Sequence, residues 1–203
     1  MQLAPARKAT LADLPVIEEV LARAFAQNVA SDWMLRDDAR RPEALRLYFG
    51  TLLRKLAWPH GEVWTTEGTP TAAALWIPPG QWHLGFFEQF PLVPSMVKAF
   101  GWARLWRSLA CIEAAQRHHP KAPHYYLQVL GVEPTMQGRG LGKAMMQPVL
   151  ERCDAEQIPA FLETESEQNV RLYRSRGFEV TTTEPLPGGG PLIYYLWRAP
   201  RRL

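Results

Sequence analysis

The stretch that most limits what this chain can fold into is Gln137-Gly138-Arg139-Gly140-Leu141-Gly142, which follows the apolar run Tyr125 to Val132 and opens an amphipathic segment rich in helix formers. A strand that feeds a glycine-rich turn into a helix builds an anion site. Glycines let the backbone approach a ligand with no Cβ in the way, and the first N–H groups of a helix have no intrahelical partner. With the positive end of the helix dipole behind them, those donors suit a pyrophosphate. Two common phosphate loops do not fit the spacing. A Walker A loop needs Ser or Thr after its lysine to hold magnesium, and Lys143 is followed by Ala144. A dinucleotide-binding fingerprint needs a third glycine where Lys143 stands, although Glu163 lies at a suitable distance for a ribose-binding acid.

A second block follows downstream: Pro159-Ala160-Phe161-Leu162-Glu163-Thr164-Glu165-Ser166, then Asn169-Val170-Arg171-Leu172-Tyr173-Arg174-Ser175-Arg176-Gly177-Phe178. In order, spacing and residue type the two blocks resemble the GNAT superfamily of acyl-CoA-dependent N-acetyltransferases. There Gln/Arg-x-x-Gly-x-Gly/Ala is the coenzyme A pyrophosphate loop, and Gln137, Gly140 and Gly142 match it position for position. The likeness narrows to the puromycin N-acetyltransferase-like branch through Leu127 to Gly142, the Pro-x-x-Leu-Glu-Thr stretch from Pro159 to Thr164, and the Pro-rich turn before Tyr194-Tyr195-Leu196-Trp197. Specific similarity covers residues 123 to 198; the N-terminal half fits only in pattern.

The resemblance implies an α/β fold of GNAT type, with a mixed, mostly antiparallel central sheet flanked by helices, and acetyl-CoA as co-substrate. Backbone N–H groups of Gln137, Gly138, Arg139, Gly140, Leu141, Gly142 and Lys143 would hold the pyrophosphate. Backbone at Leu130, Gly131 and Val132 would align the pantetheine arm, and a main-chain N–H near Leu130 would serve as oxyanion donor. Asn169 would hydrogen-bond the pantetheine, and Tyr173 would hand its phenolic proton to the departing thiolate. Independently of the family, a spacing of four puts Asn169 and Tyr173 on one helix face. A phenol near 10 keeps its proton at neutral pH and so has one to give. Taken alone, Tyr173 reads as a core tyrosine with its hydroxyl at the surface, and Asn169 as a polar residue near a helix cap.

The base is less determined. Glu163 ends a strand expected to be buried, where a carboxylate needs a partner or water. It could take the proton of the acceptor ammonium through water, hold the cation, or serve structurally by accepting from backbone donors. Glu165, nearer the loop, is expected to be solvated, and Gln128 cannot titrate. His118 and His119 are adjacent and point about 100 degrees apart on a helix, with no Cys or carboxylate cluster to complete a metal shell. His83 could be an acceptor-side base, although a lone loop histidine is more often merely exposed. Trp33, Trp76, Trp82 and Tyr125 could line an acceptor pocket, with ordinary core or insert packing the better reading of each.

Along the chain, Arg7 to Thr10 reads as a strand, with Thr10 and Asp13 starting a helix over 11–27 in capping-box fashion and Pro15 in its first turn. Leu14, Ile17, Val20, Leu21 and Phe25 give that helix one apolar face. A helix over 42–56, a hairpin over 62–66 and 71–77, and a helix over 95–117 follow. The remaining elements are a central strand over 124–132, a helix over 141–156 kinked at Pro148, a strand over 159–164, a short helix over 167–176, and strands over 178–183 and 193–197. Residues 81–119, with Trp82, Phe86, Phe87, Phe90, Phe100, Trp102 and Trp106, form an aromatic-rich helical insert expected over the acceptor end of the site. A membrane-surface reading of it is weakened by Glu88, Glu113 and the prolines.

At 203 residues a single domain over 1–203 suffices. Twenty-three basic against 20 acidic residues is too even a balance to argue for nucleic acid. Cys111 and Cys153 read as reduced, buried thiols. Glu18, Glu19 and Arg23 argue against a signal peptide, and no apolar run suggests a membrane span, so a cytoplasmic location is expected. The expected enzyme is an acetyl-CoA-dependent N-acetyltransferase acting on the primary amine of a small molecule, with no nucleic acid or membrane partner and room for a homodimer. Its rivals are a protein or peptide N-acetyltransferase and a non-catalytic acyl-CoA-binding protein.

Overall fold

Thr10 donates from both its N–H and its hydroxyl to Asp13 Oδ2 at 2.7 Å, and Arg7 closes on the same carboxylate at 2.7 and 2.9 Å. That clasp joins β1 (Ala6–Lys8) to a single 3-10 turn and then α1 (Leu14–Ala24), whose apolar stripe Leu14, Ile17, Val20 and Leu21 is fully buried. The computed structural model describes residues 5–82 and 93–201. His83, Phe86, Phe87, Glu88, Phe90 and Pro91 of the expected insert lie outside the described residues.

Seven strands form one sheet: β1, β2 (Val63–Thr66), β3 (Ala72–Ile77), β4 (Tyr125–Val132), β5 (Ala160–Thr164), β6 (Glu179–Pro185) and β7 (Leu192–Arg198). Their order is β1-β2-β3-β4-β5-β7-β6, antiparallel at every pairing except β4 with β5. This is the mixed, mostly antiparallel sheet the sequence led us to expect. One face carries α1, α3 (Arg41–Thr51) and α4 (Val93–Phe100) over a core of Ile17, Leu45, Phe49, Leu53, Leu75 and Phe100. The other carries α6 (Leu141–Glu156) over Trp76, Leu127, Met145, Met146, Val149 and Leu162. Arg152 ties α6 to the sheet through two bonds to Glu62, at 2.6 and 3.1 Å. The helix runs unbroken through Pro148.

Three elements differ from expectation. The helix foreseen over 42–56 becomes α-helical only to Thr51 and continues as a wider π-turn, Leu52–Ala57. The helix foreseen over 95–117 is two helices, α4 and α5 (Leu105–His118), because Gly101 takes φ +71, a left-handed conformation open to glycine and ruinous to a helix. A short helix, α2 (Val29–Met34), was not foreseen at all. Asn28 starts it by accepting from the Ser31 N–H at 3.0 Å, but six residues are too few to show a period.

Candidate active site

Backbone parity along β4 creates the site. Tyr125 donates its N–H to Pro159 on the β5 side at 2.9 Å, whereas Glu133 donates to Thr71 on the β3 side at 2.8 Å. Both are odd-numbered, so a regular strand would aim them the same way. The register explains the reversal. Leu75 faces Val129 and Trp76 faces Leu127, leaving Gln128 as an extra, bulged residue. Beyond the bulge the N–H groups of Leu130 and Val132 therefore turn toward β5. They find no strand there, because the parallel pairing of β4 with β5 ends at Tyr126 with Phe161. A wedge opens between two strands of one sheet, with unpaired donors along one wall.

Into the mouth of the wedge points the N-terminus of α6. Gly138 and Gly140 hold φ +76 and +82, as the sharp turn requires. The first helical bond runs from the Ala144 N–H to Gly140 at 3.1 Å, so the N–H groups of Leu141, Gly142 and Lys143 precede the ladder. No acidic side chain occupies the first turn. A groove of about 640 Å³ runs from there along Leu130, Gly131 and Val132 to Asn169 and Tyr173. Of the residues expected at the pyrophosphate, Gln137, Gly138, Gly140, Leu141, Gly142 and Lys143 line it; Arg139 is exposed and stands outside its walls. Gln137 has a second task, donating from its amide to Val132 O at 3.2 Å and so closing the turn on the strand. Gly131 has one too: a Cβ there would stand 2.5 Å from Leu21 of α1.

α7 (Glu167–Arg174) starts at Ser166, whose hydroxyl accepts from the Asn169 N–H at 3.3 Å. Its inner face brings Asn169 and Tyr173 together at the junction of the groove with a second cavity of about 240 Å³. Phe25, Asn28 and Leu130 complete that junction. The Tyr173 side chain is buried, and burial, helped by Glu165, pushes its phenol above the ordinary value of 10. Among the described residues its hydroxyl has no hydrogen-bond partner, so its O–H is open to a ligand at the junction.

Glu163 projects from β5 into the second cavity. Its Oε1 accepts from the Tyr126 hydroxyl at 2.7 Å, and its Oε2 is buried with no partner among the described residues. Burial pushes this carboxyl up to about 7 against the opposing pull of that hydrogen bond. Glu165 is not simply solvated, as the sequence suggested. It is half-buried and accepts from the Asn28 side chain, because α2 folds back over the end of β5. On the far wall Cys111 and Ala114 of α5 face the cavity, and burial raises the Cys111 thiol to about 12, which keeps it protonated and inert. Cys153, on the inner face of α6, is buried and likewise free.

None of Trp33, Trp76, Trp82 and Tyr125 lines this cavity. Trp76 and Tyr125 belong to the opposite face of the sheet, under α6, where the Tyr125 hydroxyl donates to Glu156 at 2.8 Å. Trp82 stacks on His119 at 3.6 Å, and Trp33 meets Trp106 edge-on at 5.9 Å. The aromatic wall comes instead from Phe25, Tyr48, Phe49, Tyr126 and Tyr195. Alternation would have found Tyr126, since a strand that buries Tyr125 under a helix turns its neighbour the other way. Tyr48 and Asn28 carry no such local signal. His118 bonds to Glu184, and His119 to His124 at 2.9 Å between their Nε2 atoms. Among the described residues no three His, Cys, Asp or Glu side chains converge as a metal shell.

Comparison with known proteins agrees with this geometry. Residues 57–178, more than half of the chain, match the model of the acetyltransferase (GNAT) family. A solved structure from Corynebacterium glutamicum, described as histone acetyltransferase HPA2 and related acetyltransferase, is similar at 25% identity with a TM-score of 0.78, over 100% of this chain and 99% of that one. The polyamine N-acetyltransferase of Drosophila melanogaster, which forms N-acetylagmatine, is similar at 15% identity and a TM-score of 0.64, over 96% and 98% of the two chains. The C-terminal condensation domain of Ebony, solved with β-alanyl-dopamine, is similar at 11% identity and 0.70, over 98% and 100%. The last two likenesses bear on the fold alone.

Proposed function

The chain belongs to the GNAT acetyltransferase family, and on that premise we propose that it moves an acetyl group from acetyl-CoA to the primary amine of a small molecule by direct attack. One observation carries the reading. The cofactor groove and a separate cavity bearing an unpartnered carboxylate oxygen meet at a single junction built by Leu130, Asn169 and Tyr173. The wedge suits a coenzyme A arm because its wall offers main-chain donors without strand partners, and its mouth offers a helix N-terminus entered through glycines at positive φ.

Bound acetyl-CoA would supply an acyl group on a thioester sulfur. The N–H groups of Gly138 to Lys143 hold the pyrophosphate, and Leu130 to Val132 align the pantetheine, with Asn169 as a further donor. The Leu130 N–H would stabilise the charge that grows on the carbonyl oxygen as the amine attacks, an effect worth several kcal/mol in such sites. Glu163 takes the proton that the amine gives up, through a bridging water, or holds the ammonium until it is released. As the carbon–sulfur bond breaks, Tyr173 would give its hydroxyl proton to the departing sulfur, and the phenolate would regain one from the Glu163 carboxyl or solvent. The nitrogen–carbon bond replaces the carbon–sulfur bond, and no enzyme-bound acyl group is required.

Within the family, the likeness of residues 127–142 and 159–164 to the puromycin N-acetyltransferase branch supports a place near that branch, and a cytoplasmic enzyme of one domain is the setting we propose. No helix of the described residues is long and apolar enough to cross a membrane. A protein or peptide acceptor is the second reading, favoured by the description of the Corynebacterium relative. Calorimetry with acetyl-CoA, followed by thiol release on adding a panel of amines to the same sample, tests the proposal. Binding with amine-dependent release is expected. Binding without release from any amine rejects the acceptors in the panel and strengthens the non-catalytic acyl-CoA-binding reading, and no binding rejects the family's chemistry for this chain.

A further inference from the structure

Resting on that reading of the site, the walls of the 240 Å³ cavity narrow the acceptor. We propose that it is a small organic cation, a primary amine on a compact apolar or aromatic body that carries no carboxylate or phosphate.

Charge is the first argument. Among the described residues that line the cavity, the only side chains of formal charge are Glu163 and Glu165; there is no Lys, Arg or His. An anionic substituent would be stripped of water beside two carboxylates with nothing to neutralise it, which disfavours amino acids and phosphorylated amines. Hydrogen bonding is the second. Glu163 Oε2 and Gln128 Oε1 are both buried without partners, and both residues belong to the cavity wall. Two orphaned acceptors call for donors, and an ammonium brings three. They also stand opposite one another: Gln128 is the bulged residue of β4, and Glu163 is the residue of β5 that would pair near it had the two strands not parted. The Tyr126 hydroxyl, already spent on Glu163 Oε1, cannot satisfy either.

Size is the third. A dry cavity of about 150 Å³ takes benzene, so one of 240 Å³ has room for about ten non-hydrogen atoms. Phe25, Met34, Tyr48, Phe49, Leu52 and Ile193 give the wall a run of apolar and aromatic surface, which suits an apolar body rather than a sugar or a base. The acceptor therefore follows the cavity and not the branch. Puromycin, several times larger, exceeds it, and so does a peptide threaded past its first side chain.

Four amines that share one aromatic group separate these features: 2-phenylethylamine, phenylalanine, puromycin, and a tetrapeptide beginning with phenylalanine. A fifth, 1,5-diaminopentane, has the charge without the apolar body. With the full chain and saturating acetyl-CoA, kcat/KM for 2-phenylethylamine should exceed each of the other four by at least tenfold, and phenylalanine by about a hundredfold. Thiol release that favours phenylalanine, puromycin, the peptide or the diamine would overturn the inference and leave the acetyltransferase standing. If no amine releases thiol, the enzymatic reading fails, and calorimetry still decides the cavity's preference. At pH 8, 2-phenylethylamine should bind the wild-type protein at least tenfold more tightly than phenylalanine and than it binds Glu163→Gln, and no such difference would overturn it.

Discussion

Tyr173 and Glu163 are both perturbed by burial, with opposite consequences for what they can do. The phenol moves further from neutrality, so Tyr173 stays protonated at every working pH and can act only as a donor. Tyr173→Phe removes that proton and little else. It should lower kcat at least tenfold while calorimetry shows acetyl-CoA binding unchanged; unchanged turnover would remove Tyr173 as the acid. Glu163 moves into the range where it matters, about 7. A base must be ionised, so kcat/KM should fall about tenfold per pH unit below 7, and Glu163→Gln should lose activity and this limb together. Stability runs the other way. A carboxyl raised in the folded state holds its proton there after the unfolded chain has lost it, so stability declines as pH rises from about 4.5 to about 7. Glu163→Gln should thus match wild type in thermal melts near pH 4 and exceed it at pH 8, by at most about 3 kcal/mol. Equal melts at both pH values would mean that the buried carboxylate is solvated after all.

At the scale of elements, the glycine-turn groove was legible because its signals are local. A glycine turn needing positive φ, a helix face four residues wide, and a strand ending in a carboxylate each occupy a few consecutive residues, and each stands where the sequence implied: Gly138 and Gly140, Asn169 with Tyr173, and Glu163. The acceptor wall was not legible. It is assembled from Phe25 just past α1 and from α2, α3, β4, β5, α5, α7 and β7, and its composition depends on a bulge at Gln128 that reverses the parity of β4. A residue count that ignores one inserted residue sends every later side chain to the wrong face. Tyr126 precedes the bulge and Tyr195 stands on another strand, so plain alternation governs both, while Tyr125 and Trp76 face α6. The same local logic separates two glycines of the groove. Gly131→Ala would drive a methyl to 2.5 Å from the fully buried Leu21, and overpacking of this kind costs about 1–3 kcal/mol, so thermal stability should drop. Gly142→Ala meets only Leu130, Leu172 and Val132 at 3.7–3.9 Å, at an ordinary φ, so the fold should be unaffected while its methyl narrows the groove. Acetyl-CoA affinity should then fall with no loss in melting temperature; if the melt falls as well, Gly142 is there for packing and not for the ligand.

For the molecule as a whole, the wedge divides the sheet into two wings, β1 to β4 on one side and β5, β7 and β6 on the other. Between them the backbone is paired only at Tyr125 with Ala160 and Tyr126 with Phe161. They are also joined by α6, packed under both wings, by the bond from Arg198 of β7 to Asp154 of α6 at 2.7 Å, and by the Tyr126–Glu163 and Asn28–Glu165 hydrogen bonds at the cavity. A ligand lying along β4 and reaching α7 would touch both sides of the split, so it should act as a brace as well as a substrate. Binding only to the folded state at 100 times its dissociation constant stabilises by about 2.7 kcal/mol, which for a chain of this size corresponds to a rise of about 5–10 °C in melting temperature. Where the protection falls tells a brace from a merely bound ligand. Hydrogen exchange should slow at the amides of Leu130, Val132 and Gly138 to Lys143, which have no strand or helix partner, and also in α7 across the wedge. The Leu75 and Ala73 amides, already held within the β2–β3–β4 ladder, should change little. Slowing confined to the α6 turn would mean that coenzyme A is held by its phosphates alone, and that the wedge between β4 and β5 carries no part of it.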